Sequence, residues 1–172
     1  RLFEHGAAAV GYDVLFPKPD RTSPDLIVDS WTRFSDGVPP VLPDLGLTPH
    51  DTRFAQAIAD RPVVLSIAGA VEGPVPVPIA GFAVTGDVPN TLTQYEGAIA
   101  NLPELTEAAM GLGTISLGRN VDGITRTVPM VSDIGGVLIP SLSAELLRVV
   151  QEGGGHVLKT TEASGEVSGG SI

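Results

Sequence analysis

The chain has 172 residues, of which 42% are hydrophobic and 17% charged, and this composition is typical of a folded globular domain. The formal net charge is −10 and the ten Lys and Arg residues are spread along the chain, so neither nucleic acid nor an anionic membrane surface is an expected partner. Cysteine is absent, which excludes disulfides and cysteine-ligated zinc.

The first quarter of the chain predicts a short helix end, a strand and a helix. Residues 2–9 are typical of the end of a helix, and the apolar run "VGYDVLF" (10–16) predicts a buried strand that stops at a proline. A proline-rich and aspartate-rich stretch follows. Within it, Ser-Pro-Asp at 23–25 is a favourable helix start, so we predict a helix over 24–34 and an irregular excursion over 35–48.

The middle of the chain predicts a further helix and a further strand, followed by a proline-rich segment. Thr48 and Pro49 predict the start of a helix over 48–59. The run "PVVLSIAG" (62–69) is β-branched and shows little alternation, which indicates a strand covered on both faces. Several prolines occur within residues 72–86, which predicts an edge strand or a loop there. Residues 90–101 give no clear prediction of helix or strand.

The last third predicts a helix, three strands and a final helix. The expected helix covers 102–113 and ends at a glycine, strands are expected at 114–118 and 124–133 around an Asp-Gly turn, and "VLIP" forms a further strand after a glycine turn. Ser141 is the expected cap of a helix over 142–150. From residue 151 we expect a Gly- and Ser-rich loop or a disordered tail.

This order of elements predicts an α/β fold with three layers, in which helices flank a mixed, mostly parallel sheet with a hairpin at 114–139. The predicted domain covers residues 1–150, and residues 151–172 are the predicted tail. No run of about 18 apolar residues is present, so we expect neither a transmembrane helix nor a signal peptide within the chain. The chain begins without Met, and we expect both ends to be cut from a longer protein.

Asp13 is the first candidate site residue, because it lies near the carboxyl end of a predicted buried strand, where α/β sheets place their ligands. The favoured interpretation is structural. A buried carboxylate bound to backbone amides or to an arginine would anchor the exit of the strand, and its loss would cost about 2–4 kcal/mol. Contact with a ligand is the alternative. A phosphotransfer motif of the D-x-D type is excluded, because Leu15 occupies the second acidic position.

Asp122 and Arg126 are the other two candidates. Asp122 and Gly123 form a natural hairpin turn, and Arg126 follows in an otherwise apolar segment. A buried arginine needs a partner, so Arg126 is expected to pair either with Asp13 or with an anionic ligand.

Other chemistry-bearing patterns are weak, so we expect no cofactor, no metal site and no catalytic residues. The glycines of "GLGTISLG" (111–118) follow a helix and precede a strand, which is the reverse of a dinucleotide fingerprint. The three histidines show no metal-binding spacing, and no serine lies in a nucleophile elbow. The aspartates between 20 and 51 lack the spacing of a calcium loop.

Four stretches taken in order carry a resemblance to a known family: "HGAAAVGYDVLFPKPDRTSPD", the helix "DTRFAQAIA" leading into "PVVL", "NVDGITRTVPMV", and "IPSLSAELLRVV". Together they resemble the CHASE2 sensor domain over roughly residues 3–150. Asp13 matches the family's strand end, Asp122 its Asp-Gly turn, and Arg126 the arginine after that turn.

The resemblance implies an extracytoplasmic sensory module of a bacterial transmembrane receptor, without catalytic residues of its own. It implies a homodimer that responds to an unknown small molecule or environmental signal. Membrane helices flank the domain in the family and lead to a cytoplasmic nucleotide cyclase, most commonly, or a kinase. Further strands also flank the family domain, so the sheet is expected to lack strands or to take them from another copy or segment.

Two other functions are compatible with the residues. One is a soluble α/β enzyme that uses Asp13 with Arg126 in a cleft, which would perturb the pKa of Asp13. The other is a periplasmic solute-binding module, which would normally have two lobes and a hinge.

Overall fold

A computed structural model gives the fold and describes residues 1–34, 46–88, 92–118 and 125–160. The helical elements are a 3₁₀ turn (Phe3–His5), α1 (Pro24–Phe34), α2 (His50–Ile58), α3 (Pro103–Ala108) and α4 (Leu142–Val150). The strands are β1 (Val10–Tyr12), β2 (Val63–Ala70), β3 (Phe82–Thr85), β4 (Thr93–Tyr95), β5 (Gly97–Ile99), β6 (Gly111–Thr114), β7 (Val131–Ile134), β8 (Val137–Pro140) and β9 (His156–Lys159).

The central sheet is built around β2, which pairs in parallel with β1 and with β6. The carboxyl-terminal part of β2 pairs antiparallel with β5. The β-branched run that predicted a doubly covered strand is therefore confirmed: the first five residues of β2 are all buried.

Two smaller sheets complete the strands of the described residues. One has the order β4-β7-β8, and the other pairs β3 with β9 in parallel. In this part of the chain four strand pairs are parallel and two antiparallel, which confirms the mixed, mostly parallel α/β fold. Within the predicted hairpin region 114–139 the observed hairpin is β7 with β8, whose turn uses Gly135 and Gly136 at positive φ. Strand β6 pairs with β2 rather than with β7.

Strand alternation produces the three layers. Val63, Leu65 and Ile67 point to one face of β2, where they join a buried cluster with Ile58 of α2 and Leu105 of α3. On the other face lies α4. A Cβ added to Gly113 of β6 would lie 2.6 Å from the Leu142 Cα of α4, so glycine is what permits this close helix-to-sheet packing.

Several element boundaries differ from those predicted. Helix α3 ends at Ala108 rather than continuing to residue 113, and Gly111 begins a strand instead of stopping a helix. The predicted strand at 10–16 stops at Tyr12, and that at 124–133 is regular only from Val131. The predicted strand at 114–118 is irregular after Thr114.

The expectation of a loop or disorder after residue 150 is wrong for His156–Lys159, because this segment pairs with β3. The predicted excursion at 35–48 lies outside the described residues except for its last three positions. The predicted turn at 120–123 and the last twelve residues of the chain also lie outside them.

The helix starts are mostly confirmed. Ser141 caps α4 by accepting a hydrogen bond from the Ala144 amide at 3.2 Å. Helix α2 differs in detail, because Pro49 is its first flanking residue and provides no side-chain cap. The His50 amide of α2 instead donates to the Ser23 hydroxyl at 3.0 Å, which joins the loop before α1 to the start of α2.

Glu145 of α4 is a buried carboxylate whose side chain is 1% exposed. Arg148 donates to both of its oxygens, at 2.8 and 2.9 Å, and His156 Nε2 lies 2.8 Å from Oε2. Arg148 also donates to the carbonyls of Met110 and Gly153. This cluster therefore connects α4 with the start of β6 and with β9, and the sequence analysis did not predict it.

We expect Glu145→Ala to lower the free energy of unfolding by about 3–5 kcal/mol, because the variant leaves the Arg148 guanidinium buried without its counterion. The measurement is urea unfolding followed by circular dichroism. The matched control is Glu107→Ala on the exposed side of α3, which should change stability by less than about 0.5 kcal/mol. Equal effects of the two substitutions would contradict a structural role for the cluster.

Candidate functional site

Asp13 lies just beyond the end of β1 and is exposed to solvent. Within the described residues its carboxylate takes part in no hydrogen bond and no ion pair. The prediction that Asp13 is buried and anchors the exit of the strand is therefore wrong. The strand ends at Tyr12, four residues earlier than expected, so the Asp13 side chain projects from the surface rather than into a covered sheet.

Two buried polar residues hold the exit of β1 instead. Ser66 of β2 donates its hydroxyl to the Val14 carbonyl at 3.1 Å. Asn101 accepts from the Phe16 amide at 2.8 Å through Oδ1 and donates to the Ser66 carbonyl at 2.8 Å through Nδ2. Ser66 in the middle of an apolar run was the available sequence signal, because a buried hydroxyl requires a partner.

Arg126 is exposed in the irregular segment before β7, and Asp122 lies outside the described residues. The structure shows no ion pair or hydrogen bond between Asp13 and Arg126 in the part of the chain that it describes. Asp13 and Arg126 are thus not brought together there, and a ligand-binding role for the three candidates stays a prediction.

The loop between β1 and α1 forms a polar cluster with the start of α2. The Asp20 amide donates to Asp51 Oδ2 at 2.8 Å, and Asp20 Oδ1 accepts from the Thr22 amide at 2.8 Å and the Thr22 hydroxyl at 2.7 Å. His50 Nδ1 lies 3.3 Å from Asp20 Oδ2. Because these groups satisfy one another, the cluster fixes the path of the loop.

These hydrogen bonds change the acidity of Asp20. The pKa of Asp20 lies below its ordinary value, first because the Thr22 hydroxyl and then because the Thr22 amide donate to the carboxylate. A hydrogen bond and the charge interaction with His50 act in the same direction, and partial desolvation opposes them.

A cavity of about 580 Å³ opens beside this cluster. Its apolar wall includes three aromatic rings in edge or tilted contact, with Phe54 centred 5.3 Å from both Tyr12 and Phe16. Lys18 is the cation on its rim. The cavity lies at the carboxyl end of β1, where α/β folds place ligands, although its polar groups are already paired with one another.

A larger cavity of about 740 Å³ lies between the end of β2 and the β4-β7-β8 sheet. One wall is Gly69, Ala70 and Val71, and a second is the segment Thr93–Glu96. Asp133, Gly135 and Gly136, at the turn between β7 and β8, close it. This volume is in the range of small-molecule sites, so the cavity is the leading candidate functional site.

The described residues contain no group of three or more His, Cys, Asp or Glu side chains placed to hold a metal ion. Among the helices of these same segments, none has both the length and the apolar character needed to cross a membrane.

We expect Asn101→Ala to destabilise the protein by about 1–3 kcal/mol, because it leaves the partly buried Phe16 amide and the buried Ser66 carbonyl without a partner. Asp13→Ala should change stability by less than about 0.5 kcal/mol, since its carboxylate is exposed. Chemical denaturation of both variants checks the assignment. A larger loss for Asp13→Ala than for Asn101→Ala would return the anchoring role to Asp13.

Asp20 gives a pH-dependent expectation. Its folded-state pKa lies below the unfolded value of about 3.9, so its contribution to stability is present above that pH and is lost as the pH falls through the folded-state pKa. The advantage of the wild type over Asp20→Asn in urea midpoint should therefore shrink below about pH 4.

The matched control is Asp87→Asn, which removes an exposed carboxylate that accepts no hydrogen bond within the described segments. Its difference from wild type should stay constant over the same pH range. A constant difference for Asp20→Asn as well would show that the loop cluster does not stabilise the ionised carboxylate.

Comparison with known proteins gives one match. The CHASE2 domain family matches residues 1–170, which extends past residue 150 and includes β9. No curated protein and no solved structure matches the chain. CHASE2 is a family of extracellular sensory, non-catalytic domains. Because the match covers nearly the whole chain, this protein belongs to the CHASE2 family.

Proposed function

We propose that this chain is the extracytoplasmic sensory domain of a bacterial membrane-bound receptor, and that it passes a stimulus to a cytoplasmic nucleotide cyclase or kinase. The family match over residues 1–170 is the observation that carries the proposal. The stimulus enters as a bound small molecule at the 740 Å³ cavity, and the output leaves through membrane helices that flank the domain in the full-length receptor.

The domain acts as a homodimer in this proposal, so that a change in one copy alters the position of its partner. When two sensor domains lie above two output modules, a ligand that shifts one sensor domain against the other changes the separation of the output modules. The size of the response is set by the difference in the binding free energy of the stimulus between the two arrangements of the dimer.

The two other functions receive less support. An enzyme that uses Asp13 with Arg126 would need the two side chains in one cleft, and no contact joins them in the described part of the chain. A two-lobed solute-binding module would need two cores, whereas ten of the thirteen buried hydrophobic residues described here form one cluster around β2.

We expect the full-length protein to carry membrane helices next to this domain and a cyclase or kinase module beyond them. The direct test fuses alkaline phosphatase, which is active only outside the cytoplasm, to the full-length gene truncated after Ile172. The enzyme should be active in this fusion and inactive when it is fused to the end of the intact protein. An inactive fusion after Ile172, or a gene without membrane segments, would contradict the proposal.

A further inference from the structure

Helix α1 carries an apolar face that is partly or largely exposed to solvent. We propose that this face is the contact between two copies of the chain, in which the two α1 helices pack antiparallel about a two-fold axis. Phe34 of each copy then lies in the groove beside α1 of the other copy. The contact surface stands on the geometry of α1, and its role in signalling rests on the homodimer of the function proposed above.

The apolar stripe of α1 takes no part in the core. Ile27, Trp31 and Phe34 recur at i, i+4 and i+7, which places them on one side of the helix. Their exposed fractions are 37%, 46% and 87%. None of the described residues of α1 belongs to the buried cluster around β2 or to the partly buried side chains that pack against it. Because such a stripe is normally covered, it indicates a contact with another molecule.

A groove lies beside this stripe. A cavity of about 390 Å³ separates α1 from Leu47, and Ile27 and Trp31 line its α1 side. Phe34 lies at the carboxyl end of the helix and does not line this cavity. Each copy therefore presents a projecting aromatic ring and, one to two turns earlier in the helix, an apolar groove that is large enough to receive such a ring.

The positions of the ring and the groove determine how two copies fit together. In an antiparallel pair of helices centred between Ser30 and Trp31, position 34 of one copy faces position 27 of the other, because both lie equally far from the centre. Phe34 of each copy then enters the groove of the other, and the two Trp31 side chains meet near the axis. This reciprocal exchange is the property of an isologous two-fold contact.

The charges of α1 lie away from this contact. Asp25, Asp29 and Arg33 recur every four residues and are offset from the apolar stripe by two residues, or about 200° around the helix. Arg33 and Asp29 also pair with each other. Two chains with a net charge of −10 each repel one another over much of their surface, whereas this stripe brings two uncharged faces together.

The area of the face fits a reversible dimer. An aromatic side chain offers about 150–250 Å², so the exposed parts of the stripe and of Leu47 amount to roughly 400 Å² of apolar surface per copy. A standard interface buries about 800 Å² per partner, with an apolar core and a polar rim. The stripe supplies the apolar core of such an interface, and the polar flanks of α1 supply its rim.

Trp31 is the only tryptophan of the chain, so its fluorescence reports on this face. Sedimentation velocity of the 172-residue chain from about 1 μM to about 500 μM should show a change from monomer to dimer. The emission of Trp31 should move to shorter wavelength over the same range, because the indole loses contact with water.

A chain that stays monomeric over this range would overturn the proposal, since the face would then be covered by the chain itself or by a different partner. A dimer that forms without a change in the emission of Trp31 would also overturn it, because the contact would lie elsewhere on the surface.

A charge placed on the projecting ring tests the contact directly. Phe34→Glu should weaken the dimer at least about a hundredfold, because each copy would bring an unpaired charge into an apolar groove. Phe34 is 87% exposed, so the variant should fold as wild type does, which circular dichroism checks. The matched control is Val77→Glu, which adds the same charge at an 81% exposed apolar residue outside α1 and should leave the dimer unchanged. Equal association of both variants would overturn the proposal.

A mixture of two variants tests the antiparallel arrangement. Ile27→Lys should weaken self-association in the same way as Phe34→Glu. In an equimolar mixture of these two variants, one of the two reciprocal contacts joins the lysine with the glutamate and the other keeps its native side chains. Mixed dimers should therefore form, and a mixture that stays monomeric would overturn the proposed pairing.

The α1 contact and the receptor role fail in different experiments. A monomeric chain together with an active phosphatase fusion after Ile172 would overturn the α1 contact alone. A dimer that is sensitive to Phe34→Glu, together with an inactive fusion, would overturn the receptor role alone.

Discussion

A carboxylate buried against an arginine and a histidine is the interaction on which much of this fold depends. Glu145 lies in α4 with almost no exposure, and Arg148 and His156 occupy both of its oxygens. A charge in this position is costly unless it is paired, so the chain must bring both partners to it. Arg148 extends the cluster to the Met110 carbonyl before β6, and His156 begins β9 and stacks on Phe82 of β3.

The close packing of α4, which carries this carboxylate, explains the glycines of the central sheet. A Cβ at Gly111 would lie 2.7 Å from Glu145 Oε1, and one at Gly11 would lie 2.7 Å from a terminal carbon of Leu146. Glycine is therefore required where α4 lies directly on β1 and β6. The "GLG" sequence has the composition of a turn or a phosphate loop, but here it serves the close approach of a helix to a sheet.

Local signals were sufficient for the parts of the fold that local chemistry determines. Ser-Pro-Asp before α1, Ser141 before α4 and the β-branched run of β2 correctly predicted those elements, since caps and continuous apolar runs act over a few residues. Strand β9 and the start of β6 at Gly111 depend on residues far away in sequence, namely their partner strands β3 and β2. No local pattern contains that information.

The candidate site shows the same difference between what local patterns predict and what contacts between distant segments determine. Asp13 was prominent because an acid in an apolar run suggests burial, yet the strand ends before it and the buried partners are Ser66 and Asn101. The 740 Å³ cavity combines segments that are far apart along the chain, and only the pairing of β4 with β7 places Gln94 beside Asp133. No single stretch of the sequence could therefore predict this cavity.

The protein combines a buried central sheet, formed by β1, β2 and β6 with α4 packed against it, with a cavity at the edge of a smaller sheet. A sensory domain needs this combination, because a response requires elements that change against others that do not. Hydrogen–deuterium exchange of the chain tests it most directly. The account predicts slow amide exchange in the central strands Val63–Ala70 and Gly111–Thr114 and faster exchange in Thr93–Tyr95 and Val131–Ile134 of the smaller sheet. Equal protection of all four strands, or faster exchange in the central strands, would contradict it.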